Sequence, residues 1–265
     1  MTERAHKRPS ALSREVGIPA VAVLVLVILW EITVRAFKIP EFLLPTPSSI
    51  ATESWGMAGN MGMHSLATLR TVLLGFVLSV LISLPLALAI TSSPFVSNAI
   101  YPLLVLTQSV PKVALAPLLV VMLGANELPR VVVTFLVAFF PLVISVSTGL
   151  LAVPPELLEL GRACKANWRQ ELVRIRLPYA VPFIFGGLKV AITLCVVGAV
   201  VAEFVNADRG LGYLIVTSTA FFKVPLAFGA VILLSLMGIV LFQLIVMLER
   251  WLFPWSAANT TQAGH

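Results

Sequence analysis

Residues 159–178 read ELGRACKANWRQELVRIRLP. Arg162, Lys165, Arg169, Arg174 and Arg176 crowd into this stretch, while the sequence on either side is almost continuously apolar. A basic segment between two long hydrophobic runs is what a loop held on one side of a membrane looks like, because cationic loops resist translocation. Its reading therefore decides the fold class.

The composition agrees. Of the 265 residues, 59% are hydrophobic and 11% are charged, against about 25% charged in soluble domains. The mean hydropathy is +1.01. These values point to an integral membrane protein and away from a soluble enzyme. The net charge of +6 does not imply nucleic acid, because the basic residues cluster beside hydrophobic stretches, where they orient the chain. Cys164 and Cys195 lack metal-ligand spacing and read as small apolar residues with no disulfide. His6, His64 and His265 are scattered, so no metal site is expected.

A helix needs about 20 apolar residues to cross the hydrocarbon core. Working outward from the basic segment, candidate spans are 129–152, 98–124, 66–92 and 17–36 before it and 180–203 and 226–248 after it, six in all. The expectation is an all-α integral membrane protein with about six transmembrane helices and a cytoplasmic loop at 154–178. Residues 1–16 and 253–265 are expected as tails and 17–252 as a single transmembrane domain. The first span reads as retained rather than as a signal peptide. With Arg4, Lys7, Arg8, Arg14, the 154–178 segment and Arg250 on one side, both termini are expected in the cytoplasm. Between the first two spans, Thr46 can cap a helix that Pro47 begins, which predicts a short helix over about 47–56.

Within the basic loop, Pro154 and Pro155 can start a helix, with Glu156 and Glu159 in its first turns, where the helix dipole favours acids. Leu157, Leu160, Cys164, Trp168, Leu172 and Ile175 recur at spacings of three and four and predict one apolar stripe. Pro178 stops the run. From the residues alone, three readings stand: an interfacial helix on anionic lipid, a loop that only sets topology, or a surface that docks a partner.

Ionisable groups at membrane depth are functional candidates. Lys112 lies between Pro111 and Pro117, just after Gln108 and Ser109. It reads either as a gate or substrate contact in a broken helix, or as a lysine that bonds freed carbonyls and holds a kink. Pro85, Pro102 and Pro141 are further candidate kinks. Glu203 ends the fifth span and is followed by Gly210 and Gly212, which suit a tight re-entrant turn. The acid reads either as part of an outer gate or as an exposed residue at the membrane edge. Lys189 is expected to snorkel or to pair with a neighbour, and Arg130 to anchor a span end. No nucleophile with a base, no paired carboxylates and no phosphate loop are visible, so no catalytic residues are expected.

The order of residues in the basic loop resembles the cytoplasmic signature of permease subunits of bacterial ATP-binding-cassette importers. That signature runs Glu-Ala-Ala, Gly after three residues, a gap, then Ile-x-Leu-Pro. Here Glu159 matches the acid, Leu160 and Gly161 stand for the alanines, and Ile175, Leu177 and Pro178 match the end. Ala166, Asn167, Trp168 and Arg169 fall where the family has an Ala-Ser-Arg-Trp type of run. The likeness extends through LLPTPSSI, SLATLRTVLLGFVLSVLISLPLAL, PLLVLTQSVPKVALAPLLVVMLGANELPRVVV, LPYAVPFIFGGLKVA and VVAEFVNADRGLGYLI, in order. It is similar to the nitrate, sulfonate, taurine and bicarbonate branch. One departure is Lys165 at the signature's central glycine; lysine meets a steric penalty in the left-handed conformation that glycine takes there. Either the turn is built differently or Lys165 extends the first helix. A basic residue at this point resembles the branch linked to pyrimidine (thiamine-precursor) or riboflavin uptake.

The resemblance implies a type I importer permease fold in the bacterial inner membrane. It implies a homodimer of permeases, two ATPase subunits docked on Glu159, Arg162, Lys165, Ala166, Asn167, Trp168, Arg169, Ile175, Leu177 and Pro178, and a periplasmic or lipid-anchored binding protein. It implies no cofactor on this chain, with ATP and magnesium held by the ATPase, and places Gln108, Ser109, Lys112, Glu203, Gly210 and Gly212 along the pathway or gate. Two other classes remain at this point. An ion-coupled secondary transporter would show inverted repeats and intramembrane carboxylates. A non-transporting scaffold would not need the ordered prolines or the basic signature.

Overall fold

The structure, a computed structural model of the chain, describes residues 11–92 and 94–256. Arg4, Lys7 and Arg8 of the expected cytoplasmic tail, and residues 257–265 of the expected C-terminal tail, lie outside the described residues. Among those described, all regular structure is helical. In chain order the helices are α1 (Ala11–Ala36), α2 (Pro47–Gly56), α3 (Ala58–Ser92), α4 (Pro94–Gln108), a 3-10 turn (Lys112–Leu115), α5 (Ala116–Leu123), α6 (Glu127–Leu151) and α7 (Pro155–Ala163). There follow α8 (Trp168–Glu171), a π turn (Leu172–Arg176), α9 (Leu177–Val205), α10 (Leu211–Ala220) and α11 (Val224–Leu252).

Four of these are long and apolar enough to cross a membrane: α3, α6, the continuous Trp168–Val205 helix and α11. The 26 residues of α1 cover the first expected span. The expected single span at 98–124 is replaced by a broken one. Its two halves, on either side of Ser109–Pro111, meet at 78°. Pro111 permits the break, because it has no N–H to donate and its ring disfavours helical geometry at Val110. Pro85, Pro102 and Pro141 lie inside α3, α4 and α6 without interrupting them. Of these four prolines, Pro111 alone lies at a break in the chain's direction.

The described chain divides into two compact units. The smaller holds the described part of Met1–Ala58 together with Thr217–Gly229. In it, Thr46 Oγ1 accepts from Ser49 N–H at 3.1 Å and Pro47 opens α2, as the sequence predicts. The N-terminus of α2 is tied to α1 by Glu31, which accepts from Ser48 N–H at 3.1 Å and from its hydroxyl at 2.8 Å and pairs with Arg35 at 2.6 Å. A carboxylate at a helix N-terminus satisfies N–H groups that have no partner within the helix.

The larger unit holds the described parts of Gly59–Val216 and Ala230–His265. Its centre is the packing of α6 on α9. Close approach depends on small residues, as is usual where helices meet without a hydrophobic driving force. A methyl at Gly187 would lie 2.8 Å from Ser145 Cβ, and one at Gly198 would lie 3.0 Å from Thr134 Cα. Leu142, Val143, Val146 and Leu150 of α6 and Ala191, Ile192 and Cys195 of α9 are fully or almost fully buried. The first residues of the expected C-terminal tail, 253–256, are among those described, and Ser256 is buried.

Candidate coupling segment and buried latch

The basic stretch forms α7, a tight turn, and α8 running through the π turn into α9. Lys165 answers the question its position raises. Neither expected alternative holds: its φ is +54°, the left-handed value that glycine would take. Ala166 N–H donates to the Gly161 carbonyl and Lys165 N–H to the Arg162 carbonyl, both at 2.9 Å. This is the paired bond pattern of a Schellman helix end. The turn is kept and the lysine bears the strain. A left-handed L-residue costs about 1–2 kcal/mol, part of which glycine returns through its freer unfolded chain. Lys165→Gly should therefore raise stability by about 0.5–1 kcal/mol, and Lys165→Val should lower it. Thermal unfolding of the purified variants reads both signs.

Asn167 caps α8 by a reciprocal box: its side chain accepts from Gln170 N–H, and the Gln170 side chain accepts from Asn167 N–H, each at 2.9 Å. Glu171 pairs with Arg176 at 2.7 Å, and Arg176 also donates to the Leu150 carbonyl at 3.2 Å, which fixes the segment to the end of α6. Glu159, Arg162, Lys165, Asn167 and Arg169 are exposed, Trp168 is 53% exposed, and Ala166, Ile175, Leu177 and Pro178 are half-buried. The predicted apolar stripe is thus only partly covered: Leu172 and Ile175 turn inward, whereas Leu157, Leu160, Cys164 and Trp168 face outward. Cys164 and Cys195 are free thiols.

Glu203 does not sit exposed at a membrane edge. It is 2% exposed and lies at the centre of a latch. Its Oε2 accepts from Gly212 N–H at 2.8 Å and from the Thr68 hydroxyl at 3.0 Å. Thr68 Oγ1 in turn accepts from Leu211 N–H at 2.8 Å, and Nδ1 of His64 accepts from Gly210 N–H at 3.1 Å. Three successive N–H groups that open α10 are therefore taken up by side chains from α3 and α9, which is how a helix N-terminus is satisfied away from water. Gly210 has φ +125°, and Gly212 approaches Glu203 and the Val200 carbonyl so closely that a methyl would sit 2.8 Å from either. Arg130 reaches the same loop, with a guanidinium nitrogen 3.4 Å from the Arg209 carbonyl and 3.9 Å from the Asp208 carboxylate. Arg130, near the start of α6, thus ties a span end to this loop.

Lys112 opens the 3-10 turn in the broken span. Its ammonium donates to the Gln108 carbonyl at 3.2 Å and lies 4.9 Å from the centre of the Phe140 ring. Gln108 and Ser109 are exposed. The structure brings Glu203, Gly210 and Gly212 together, and Lys112 together with the Gln108 backbone; these are two separate clusters. Sequence reading missed His64 and Thr68, which look like one scattered histidine and one hydroxyl in an apolar run. It also missed Glu249, the buried partner of Lys189 at 2.6 Å.

The family described as binding-protein-dependent transport system inner membrane component matches residues 79–255. The formylaminopyrimidine transport permease protein ThiX of Halalkalibacterium halodurans is 35% identical over 238 residues, covering 89% of this chain and 95% of that protein. The riboflavin transport system permease protein RibX of Chloroflexus aurantiacus is 35% identical over 244 residues, covering 91% of each. The taurine transport system permease protein TauC of Escherichia coli is 26% identical over 251 residues, covering 92% of this chain and 91% of that protein. Among solved structures, a chain of the inward-facing MetNI methionine ABC transporter superposes with a TM-score of 0.62 at 17% identity, over 74% of this chain and 97% of that one. At that identity the likeness is one of fold.

Proposed function

The chain belongs to the family of binding-protein-dependent transport system inner membrane components, and from that premise we propose how it works as the permease of an ATP-binding-cassette importer. It is a multi-pass membrane protein that forms the pathway. Both termini and the α7–α8 segment face the cytoplasm. Two ATPase subunits, which hold ATP and magnesium, dock there, a second copy of this chain completes the pathway, and a binding protein delivers the solute from the other side.

The observation that carries this reading is the continuity of α8, the π turn and α9. Residues Trp168–Val205 run as one helix, about 57 Å long at 1.5 Å per residue. One end carries the exposed Trp168, and the other carries Glu203 in its latch. A push on Trp168 therefore reaches the α10 entrance without crossing a loop. π turns inside helices recur at functional positions, and this one joins the docking surface to the spanning part. Lys112 braces the break that turns the third span, so that a change in the Gln108 carbonyl or the Phe140 ring is felt there. A secondary transporter is not favoured, because the chain matches the family of binding-protein-dependent transport components over residues 79–255.

For the substrate, we propose a nitrogen heterocycle of the pyrimidine or flavin type. The relatives named for formylaminopyrimidine and riboflavin match at 35% identity, and the one named for taurine at 26%. Uptake by cells expressing the chain with its partner subunits, measured with labelled aminopyrimidine, riboflavin and taurine in parallel, decides between the classes. Accumulation of taurine alone would contradict the assignment.

Docking is tested separately. Truncating an aromatic that anchors an interface costs about 2 kcal/mol, or roughly 30-fold in affinity. Trp168→Ala should weaken binding of the ATPase by that factor while membrane insertion is unchanged, because Trp168 makes no part of the buried core. Co-purification titrated with ATPase reads the effect; undiminished binding and transport would remove Trp168 from the interface.

A further inference from the structure

Glu249 is 2% exposed and lies near the end of α11. One of its carboxylate oxygens is 2.6 Å from the Lys189 ammonium on α9, and the other accepts the Ser256 hydroxyl at 3.0 Å. A buried ion pair adds little net stability but is intolerant of displacement, so it fixes whatever is attached to it. What is attached here is the turn that follows α11. Phe253 N–H donates to the Glu249 carbonyl at 2.8 Å, and Ser256 N–H donates to the Phe253 carbonyl at 3.0 Å. Phe253 packs on Phe185 of α9 with ring centres 5.7 Å apart, and Trp255 meets Phe253 edge-on at 5.9 Å.

Trp255 itself is 49% exposed. Its indole forms one wall of a groove of about 510 Å³ whose other walls include Leu160, Cys164, Ile175, Pro178 and Tyr179. The docking segment and the turn after α11 thus face each other across one groove. The ring contact with Phe253 and the backbone turn closed by Ser256 are the links from Trp255 to α9 and α11.

We infer that Lys189, Glu249 and Ser256 are positioning residues that hold Trp255 as a stop for the α7–α8 segment, and that displacement of this segment is passed to α9 and α11 through that stop. The inference rests on the permease reading above and adds a second route to the continuous helix.

The test uses the assembled permease–ATPase complex in proteoliposomes. A reporter, Val197→Cys on an exposed position of α9, is placed in a Cys164→Ser background, and its labelling by a maleimide is timed without nucleotide and after trapping with ATP and vanadate. With Trp255 intact, the two rates should differ by at least about threefold, since trapping shifts the complex between states. Trp255→Ala should keep basal ATP hydrolysis and bring the two rates together; Trp255→Phe should restore the difference. A full difference in Trp255→Ala would overturn the inference. Equal rates with Trp255 intact would instead contradict the permease reading. If Trp255→Ala fails to assemble, Ser256→Ala carries the same comparison, because it frees the turn while leaving the indole and the ion pair: converging rates support the stop, and an unchanged difference refutes it.

Discussion

Gly210→Ala should abolish transport and destabilise the fold by roughly 3 kcal/mol or more, whereas Gly186→Ala and Gly238→Ala should be silent. Gly210 sits at φ +125°, a region that L-residues enter only under strain. A methyl there would run into the Glu203 carboxylate. That carboxylate cannot retreat without losing Gly212 N–H and the Thr68 hydroxyl, and Thr68 is the acceptor for Leu211 N–H. Backbone strain of about 1–3 kcal/mol adds to about 1–3 kcal/mol for each buried group left without its hydrogen bond. A total of roughly 3 kcal/mol or more is a large share of a typical folding free energy. Gly186 and Gly238 have no heavy atom within 4 Å of an added methyl, so alanine there meets no obstacle. Thermal unfolding in detergent and uptake in whole cells measure the two halves; a Gly210→Ala protein with parental melting and uptake would show that the latch is dispensable.

The second large effect concerns the ion pair between α9 and α11. Lys189→Met should destabilise the chain by about 3–5 kcal/mol, because it leaves the Glu249 charge buried without its partner. Adding Glu249→Leu should recover most of that loss, since removing both charges removes the uncompensated one. Glu249 is 3% exposed at its side chain and Lys189 16%, so solvent does little to soften either state. Melting temperatures of the parent, both single variants and the double variant close the cycle. Additive losses in the double variant would mean that the two side chains act independently.

Much of the architecture was legible because it depends on local pattern. Hydrophobic length located the spans, Thr46 and Pro47 located α2, and the residue order of 154–178 carried the resemblance to the permease family. The break at Pro111 could be read as a candidate, but nothing local distinguished it from Pro85 or Pro141, whose helices continue; whether neighbours tolerate a missing hydrogen bond is decided by packing. Lys165 was misjudged because steric preference was set against a turn that the surrounding bonds enforce. The latch was legible only at one end. Glu203, Gly210 and Gly212 stand close in sequence, but His64 and Thr68 come from more than a hundred residues away and carry no periodicity of their own. Glu249 was hidden for the same reason, in the last turn of an apolar helix beside Arg250.

The central claim is that the 154–178 segment is where an ATPase acts on this chain. The most direct measurement places a photo-crosslinking amino acid at Trp168 in native membranes, irradiates, and identifies the adduct by mass spectrometry. The account predicts a single dominant adduct with an ATP-binding-cassette ATPase, lost when the residue is placed instead at Trp55, which is 85% exposed on α2. Adducts to lipid alone, or labelling of position 168 by an impermeant reagent added from the periplasmic side, would contradict it.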